Sequence, residues 1–357
     1  MEGFEHAAER LLNWYDEHKR VLPWREEPSP YHVWISEIML QQTRAEAVKA
    51  YYRRFLAALP DIPALAAADE DLCMKLWEGL GYYSRVRNLQ KAAKCIMADH
   101  GGQMPDTYEE LLRLPGIGPY TAAAIASIAF GRAVPAVDGN LQRIYARLTA
   151  DGSDQRLPEA KKKAAAFYAG LIPAGRPGDF NQALMDLGSA VCVPNTLPVC
   201  GSCPLKECCQ ACLRGETASY PFLSPKKERR IENRTVFLIH DADRIVLRKR
   251  PAKGLLAGLY EYPNTQGHLP REEALAFIQS LGLSPLRLTP LEPSVHIFTH
   301  IEWHMSAYEV RTDEFRPFTE NEAGYFSASL SDIAGRYAIP GAFAVYTAHI
   351  LKGVEKE

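Results

Sequence analysis

LPGIGPYTAAAIASIAF, residues 114–130, decides the reading of the first half of the chain. Gly116 and Gly118 stand two apart, Pro119 follows, and then comes an Ala-rich run whose small side chains allow close helix packing. This is the pattern of a helix-hairpin-helix. Its glycines let backbone N–H groups approach a phosphate at a helix N-terminus without obstruction, a DNA contact that carries no sequence information. An ordinary Gly/Pro turn between two helices is the competing reading.

Outward from this stretch, apolar residues recur at helical spacing from the N-terminus to about Leu213, with breaks at LPDIP (59–63), HGGQMP (100–105) and LPGIG. An all-helical region is expected there. GETASYPFLSPKKERRIENR (215–234) is polar and basic and carries two prolines, which suits an exposed linker. From Arg234 the texture changes. RTVFLIHDADRIVLRKR (234–250) and HIFTHIEWHMSAYEV (296–310) read as strands, while EEALAFIQSLG (272–282) and GAFAVYTAHILKG (341–353) read as helices. A separate α+β domain is expected.

At 357 residues the chain is long enough for two cores or more. It is 47% hydrophobic and 24% charged, and no window approaches roughly 20 uninterrupted apolar residues, so no membrane span is expected. The N-terminal MEGFEHAAERLLNWYDEHKR has neither an apolar signal core nor a small-residue cleavage site, and a cytoplasmic protein is expected. With a net charge of −2, any nucleic-acid surface must be a local basic patch. The candidates are Arg85, Arg87, Lys91 and Lys94; Arg143 and Arg147; Lys161 to Lys163; and Lys226, Lys227, Arg229 and Arg230. Each run taken alone also reads as a solvated helix face.

Six of the eight cysteines, Cys192, Cys200, Cys203, Cys208, Cys209 and Cys212, fall within 21 residues. In a cytoplasmic protein such clustering points to metal rather than to disulfides. Cys192-x7-Cys200-x2-Cys203-x5-Cys209 offers four thiolates to a cubane iron–sulfur cluster, with a structural zinc site as the rival.

Two carboxylates carry the chemical reading. Asp138 in AVDGNLQRIYARL (136–148) stands just before a helix, where an Asp is usually an N-cap. Glu37 in YHVWISEIMLQQT (31–43) is flanked by Trp34, Ile35, Ile38, Met39 and Leu40, apolar enough on all sides to bury it in a helix. Burial raises a carboxyl pKa, so such a group can hold a proton at neutral pH, as a general acid must. A Glu on the one solvated stripe is the alternative.

WISEIMLQQT (34–43), EGLGYYSRVRNL (78–89), LPGIGPYT, VDGN (137–140), FNQALMDLG (180–188) and the cysteine loop together resemble the helix-hairpin-helix DNA glycosylase superfamily, and within it closely the MutY adenine DNA glycosylases. The resemblance covers nearly the whole chain. It implies a helical catalytic region over 1–213, with a six-helix sublobe at about 22–131 and an iron–sulfur sublobe at about 1–21 and 132–213. A linker at 214–233 and a MutT-like (Nudix-fold) domain at 234–357 would follow. A [4Fe-4S] cluster on Cys192, Cys200, Cys203 and Cys209 is implied as well. The seven residues between Cys192 and Cys200 are one more than the family spacing, which leaves Cys208 to compete as fourth ligand and Cys212 surplus.

The implied activity is hydrolysis of the N-glycosidic bond of adenine paired with 8-oxoguanine or guanine in double-stranded DNA, by a monomer that leaves an abasic site. Extruding the nucleotide costs a few kcal/mol. Adenine then leaves once N7 is protonated, and the sugar's oxocarbenium character calls for a nearby anion. The resemblance gives Glu37 the role of acid and Asp138 that of the partner that stabilises or attacks the cation, the division used in glycoside cleavage. Asn140 would orient Asp138, and Tyr120 would support the carboxylate. Bifunctional relatives carry a lysine at the place of Tyr120; a tyrosine forms no Schiff base, so a monofunctional enzyme is implied.

Arg20, Trp24, Arg25, Leu40 and Gln182 match positions lining the family's adenine pocket, though a core Trp, surface arginines and a water-facing Gln would look alike. Gln42, Thr43, Leu80 and Tyr82 match residues that invade the duplex around the opposite base; Tyr82 packed beside Tyr83 is the plainer reading. In the C-terminal region REEALAFIQSLG has Leu275 and Ala276 where a Nudix hydrolase needs metal-binding glutamates, which argues against independent hydrolase activity. Phe298, Thr299 and His300 match the short loop by which the family checks for 8-oxoguanine, in a segment that otherwise reads as an ordinary strand. The alternatives are an endonuclease III-like glycosylase/lyase and a catalytically silent iron–sulfur module that binds damaged DNA.

Overall fold

The computed structural model describes residues 3–225, 228–241, 243–313 and 324–354. Lys226 and Lys227 of the basic run lie outside the described residues. The chain divides into two compact units, Met1–Ala67 with Asn88–Pro225, and Ala68–Arg87 with Lys226–Glu357.

Helices make up the first unit: α1 (Ala7–His18), α2 (Pro23–Glu26), α3 (Pro30–Leu40), α4 (Ala45–Ala58) and α5 (Ile62–Ala67), then, after α6 (Glu70–Leu76) of the second unit, α7 (Ser84–Asp99), α8 (Tyr108–Leu111), α9 (Pro119–Ile128), α10 (Gly139–Thr149), α11 (Pro158–Ala169), α12 (Pro177–Ala190) and α13 (Gln210–Leu213). The unit boundary after Arg87 falls inside α7.

Two kinds of helix build this unit. α1, α10 and α12 are amphipathic, and their apolar stripes meet in one core containing Leu11, Leu12, Tyr15, Leu141, Ile144, Leu148, Tyr168, Phe180, Leu184 and Leu187. α3 and α9 are instead apolar on nearly every side, with Tyr31 and Val33 to Met39 buried on α3 and Thr121 to Ser127 buried on α9. α9 and α12 pack closely at one point: a Cβ added at Gly178 of α12 would lie 2.9 Å from the Ile128 Cα. Pro30 and Pro119 occupy the first turns of α3 and α9, where the missing N–H costs nothing, and the Ser29 hydroxyl accepts from the His32 N–H at 3.2 Å.

Strands β1 (Arg230–His240), β2 (Arg244–Lys249), β3 (Tyr260–Glu261), β4 (Asn264–Gln266), β5 (Pro285–Ile297), β6 (Ile301–Thr312) and β7 (Tyr325–Ser329) form one mixed sheet in the second unit, in the order β3-β2-β1-β6-β5, with β4 against β1 and β7 against β2. β1 and β6 run parallel, and the other pairs are antiparallel. The centre of β1, from Thr235 to Ile239, is buried on both faces, which explains its unbroken apolar run. One face packs Val236, Leu238, Tyr262, Trp303 and Met305 against Phe343, Tyr346 and Ile350 of the C-terminal segment, whose helices are α15 (Leu330–Gly335) and α16 (Ala344–Val354). The other packs Phe237, Ile239, Val246 and Val310 against Ala274 and Ile278 of α14 (Arg271–Ser280). No described helix is long and apolar enough to cross a membrane.

The cysteine segment corrects the expectation drawn from its spacing. Among the described residues no group of three or more His, Cys, Asp or Glu side chains is placed to hold a metal ion, so the iron–sulfur cluster loop on Cys192, Cys200, Cys203 and Cys209 is not present. The thiols have other partners. Cys209 Sγ donates to the Arg147 carbonyl at 3.3 Å, Cys208 Sγ to the Leu205 carbonyl at 3.3 Å, and Cys192 Sγ accepts from Arg147 Nη1 at 3.2 Å. Burial pushes the Cys203 thiol up to about 12 and the Cys209 thiol to about 11, favouring the neutral form. The cavity that Cys192, Cys200, Cys203, Cys209 and Cys212 line holds about 20 Å³, room for a water molecule. The residues present therefore do not fit a [4Fe-4S] group.

Candidate active site

Three chain segments bring two carboxylates and a tyrosine to one cleft of about 560 Å³ in the first unit. α3 delivers Glu37, the first turn of α9 delivers Tyr120, and the N-cap of α10 delivers Asp138. Arg20, Trp24, Arg25, Leu40, Thr43, Asn140 and Gln182 line the same cleft. Its size suits a nucleobase or a small drug-sized ligand.

Glu37 is only 5% exposed, and Tyr120 Oη donates to its Oε2 at 2.6 Å. Burial pushes the Glu37 carboxyl from about 4.5 up to about 7; the Tyr120 hydrogen bond opposes the shift, the Asp138 charge adds to it and Arg25 opposes it. Near neutrality this group exchanges a proton. The Tyr120 hydroxyl is raised well above its usual range by the same enclosure and by the two carboxylates, so it stays a donor.

Asp138 is an N-cap and something more. Its Oδ1 accepts from the N–H groups of Asn140 at 2.8 Å and Leu141 at 2.9 Å, while Oδ2 accepts from Asn140 Nδ2 at 2.9 Å. Enclosure raises its pKa, and the N–H groups of Leu141 and Asn140 work against that rise. Asn140 is held in turn: its Oδ1 accepts from Arg143 Nη2 at 2.9 Å, and Arg143 also donates to the carbonyls of Gly188 at 2.7 Å and Cys192 at 2.9 Å. Gly188 is glycine for a steric reason, since a Cβ there would stand 2.8 Å from the Asn140 Cβ. Buried Asn181 fixes the approach to Asp138 by accepting from the Ala136 N–H at 3.0 Å and donating to the Val134 carbonyl at 2.9 Å.

Sequence reasoning missed Asp186, whose side chain is 1% exposed. It takes Arg25 through two bonds of 2.7 and 3.0 Å and Arg20 Nε at 2.7 Å, so both guanidiniums at the cleft wall are aimed by one carboxylate. The available signal was its place one helical turn after Gln182, on the α12 face that reaches the cleft. Arg143 and Arg147, read as parts of a basic patch, are buried and hold backbone carbonyls. Trp24 is buried, meeting Tyr52 edge-on at 5.5 Å, and still forms part of the cleft wall.

At the hairpin, Gly116 has φ of +76°, and a Cβ there would lie 2.5 Å from the Asn88 Cβ, so both backbone and packing demand glycine. Gly118 caps α9, and an added Cβ would meet open space among the described residues. Gln42 is exposed with φ of 60°, just beyond α3.

Leu80, Tyr82, Phe298, Thr299 and His300 belong to the second unit. Residues 298–300 turn the β5–β6 hairpin, where the Phe298 N–H donates to the Ile301 carbonyl at 2.8 Å. The Phe298 ring meets Trp303 edge-on at 5.0 Å, leaving Thr299 and His300 exposed. Tyr82 is exposed with φ of 47°, and its Oη lies 2.8 Å from Thr299 Oγ1. Leu80 is buried.

Two family models match the chain, and the first of them runs through residues 68–87, which pack with the second unit. The family model of HhH-GPD superfamily base excision DNA repair proteins matches residues 35–168, and that of the NUDIX domain matches residues 235–348. The chain is 36% identical to the adenine DNA glycosylase of Mus musculus, covering 85% of this chain and 70% of that protein. It is 34% identical to the adenine DNA glycosylase of Homo sapiens, covering 87% and 67%. Among solved structures it is similar to a thermostable thymine-DNA glycosylase, with a TM-score of 0.55 and 29% identity over 60% of this chain and 98% of that one. With its helix-hairpin-helix, its cleft of paired carboxylates and these relatives, the chain belongs to the adenine DNA glycosylases of the HhH-GPD superfamily of base excision DNA repair proteins.

Proposed function

We propose that this glycosylase removes adenine lying opposite 8-oxoguanine or guanine in duplex DNA and leaves an intact strand with an abasic site. The observation that carries the reading is the juxtaposition of Glu37, which exchanges its proton near pH 7, with an Asp138 held by two backbone N–H groups and an amide. The two environments give the carboxylates different work.

Protonated Glu37 gives its proton to N7 of the extruded adenine, and the bond between C1′ and N9 breaks with its electron pair going to the base. Asp138, whose three donors oppose the rise that enclosure imposes on its carboxyl, faces the positive charge that develops on the sugar. Water adds to C1′, and its proton returns to a carboxylate. Arg20, Trp24, Arg25, Leu40 and Gln182 bound the base, and Asp186 keeps the two guanidiniums in place. Tyr120 holds the Glu37 carboxyl and offers no amine for a Schiff base, which speaks against lyase chemistry.

The helical unit performs excision in this reading, and the hairpin Phe298-Thr299-His300 together with Tyr82 reads the opposite base. The Thr299 hydroxyl would hydrogen-bond the N7–H or O8 edge that distinguishes 8-oxoguanine from guanine. Single-turnover excision from duplexes pairing adenine with 8-oxoguanine, guanine or thymine tests the assignment. The rate is expected to be greatest opposite 8-oxoguanine; equal rates on all three would refute it.

A further inference from the structure

Residues 68–87 form one compact unit with the sheet region, and they are tied to it at two places. At α6, Asp71 accepts from Lys249 Nζ at 2.8 Å and from Tyr260 Oη at 2.7 Å. One turn on, Lys75 Nζ pairs with Glu78 Oε2 at 2.6 Å and donates to the carbonyls of Ile333 at 3.0 Å and Tyr337 at 3.2 Å. Glu78 Oε1 accepts from the Ile339 N–H at 2.8 Å. Lys75 and Glu78 thus grip the 333–339 turn through charge-assisted bonds that are largely removed from water. The second tie is the Tyr82–Thr299 hydroxyl pair.

The backbone between the two ties is itself fixed. Gly79, Gly81 and Tyr82 have φ of 96°, 71° and 47°, a sharp turn rather than a free loop. Trp77 Nε1 donates to the Gly81 carbonyl at 3.2 Å, and the Arg85 guanidinium donates to the carbonyls of Leu80 and Gly81, each at 3.0 Å, while lying over the Trp77 ring. A displacement at α6 is therefore carried to Tyr82.

The geometry points to Asp71, Lys75 and Glu78 as positioning residues for reading the opposite base: they set Tyr82 in register with Thr299, so that the wedge and the reading hydroxyl reach DNA as one piece. The inference rests on the reading of Tyr82 and Thr299 given above, and assigns these three residues no DNA contact of their own.

A mutant cycle tests it. Single-turnover rates opposite 8-oxoguanine and opposite guanine are compared for the natural chain, the double variant Asp71→Asn/Glu78→Gln, Thr299→Ala, and all three changes together. The double variant is expected to lower the ratio of the two rates by about tenfold, the order of a lost charge-assisted bond, mostly through the 8-oxoguanine substrate. Added to Thr299→Ala, it lowers the ratio no further, because both act through the same hydroxyl. A ratio unchanged in the double variant, or effects that multiply in the combined one, overturns the proposal. Thr299→Ala with no effect on the ratio removes the underlying reading of Thr299, and the inference with it. Should the double variant fail to fold, Tyr260→Phe removes one bond to Asp71, and a smaller fall in the ratio is expected; no fall counts against the proposal. In the free protein the amides of Leu80 to Tyr83 are expected to exchange hydrogen faster in whichever variant folds, and unchanged exchange also counts against it.

Discussion

The hydroxyl of Tyr120 donates to Oε2 of Glu37 at 2.6 Å across the interface of α9 and α3, and this bond opposes the rise that burial imposes on the carboxyl. Tyr120→Phe removes the donor, so Glu37 holds its proton to higher pH. The excision rate, which falls as Glu37 ionises, is expected to keep its plateau to a higher pH in the variant. Single-turnover rates measured across pH decide the matter; a limb displaced to lower pH would mean that Tyr120 does not stabilise the ionised carboxylate.

Glu37 also makes stability depend on pH. Its carboxyl titrates at about 7 when folded and near 4.5 when free, so between those values the folded chain binds the extra proton and loses stability as pH rises. The loss is at most about 3 kcal/mol and is complete above the folded value. Glu37→Gln carries no charge, so its melting temperature relative to the natural chain is expected to climb through this window and then level. A difference independent of pH would show that Glu37 is not held protonated.

Capping and charge separate at Asp138. Asn in its place still accepts from the N–H groups of Asn140 and Leu141, though its amide nitrogen replaces the oxygen that took Asn140 Nδ2, so Asp138→Asn is expected to keep the cap, whereas Asp138→Ala costs about 1 kcal/mol for losing it. Both are expected to slow excision by on the order of 10²–10³, the usual worth of a preorganised electrostatic group. Thermal melts and single-turnover assays of the two variants together check this, and an active Asp138→Asn would reduce the residue to a cap.

Gly188→Ala tests the support behind that carboxylate. The new methyl meets Asn140 at 2.8 Å and Arg143 Nη2 at 3.4 Å. Overpacking of this kind costs about 1–3 kcal/mol. Excision is expected to fall as well, because Asn140 cannot stay against Asp138. Unchanged melting and rate would show that the α10–α12 contact yields without effect.

What could be read from the sequence was local. The burial of Glu37 follows from apolar neighbours on both sides of it along one helix, and the capping by Asp138 from the residues immediately after it. The double-sided burial of β1 is legible in its unbroken VFLI run. Partners far along the chain were not legible. Asp186 reads as one more polar position until α12 is set beside the loop carrying Arg20 and Arg25, some 160 residues away in sequence. Arg143 and Arg147 look like surface charge because their partners are carbonyls, which every sequence has everywhere. Cysteine spacing alone misleads: among the described residues no group of His, Cys, Asp or Glu side chains is placed to hold a metal ion, and Arg147 and backbone carbonyls take the thiols of Cys192, Cys208 and Cys209. Nor does anything in residues 68–87 announce that Asp71, Lys75 and Glu78 grip strands and turns far downstream.

The most direct test of the central claim is single-turnover treatment of a duplex with adenine opposite 8-oxoguanine, using the natural chain and Glu37→Gln, with products examined before and after alkali. Adenine release by the natural chain, strand breaks only after alkali, and no release by the variant are expected. Breaks without alkali, or adenine released as fast by Glu37→Gln, would contradict the claim.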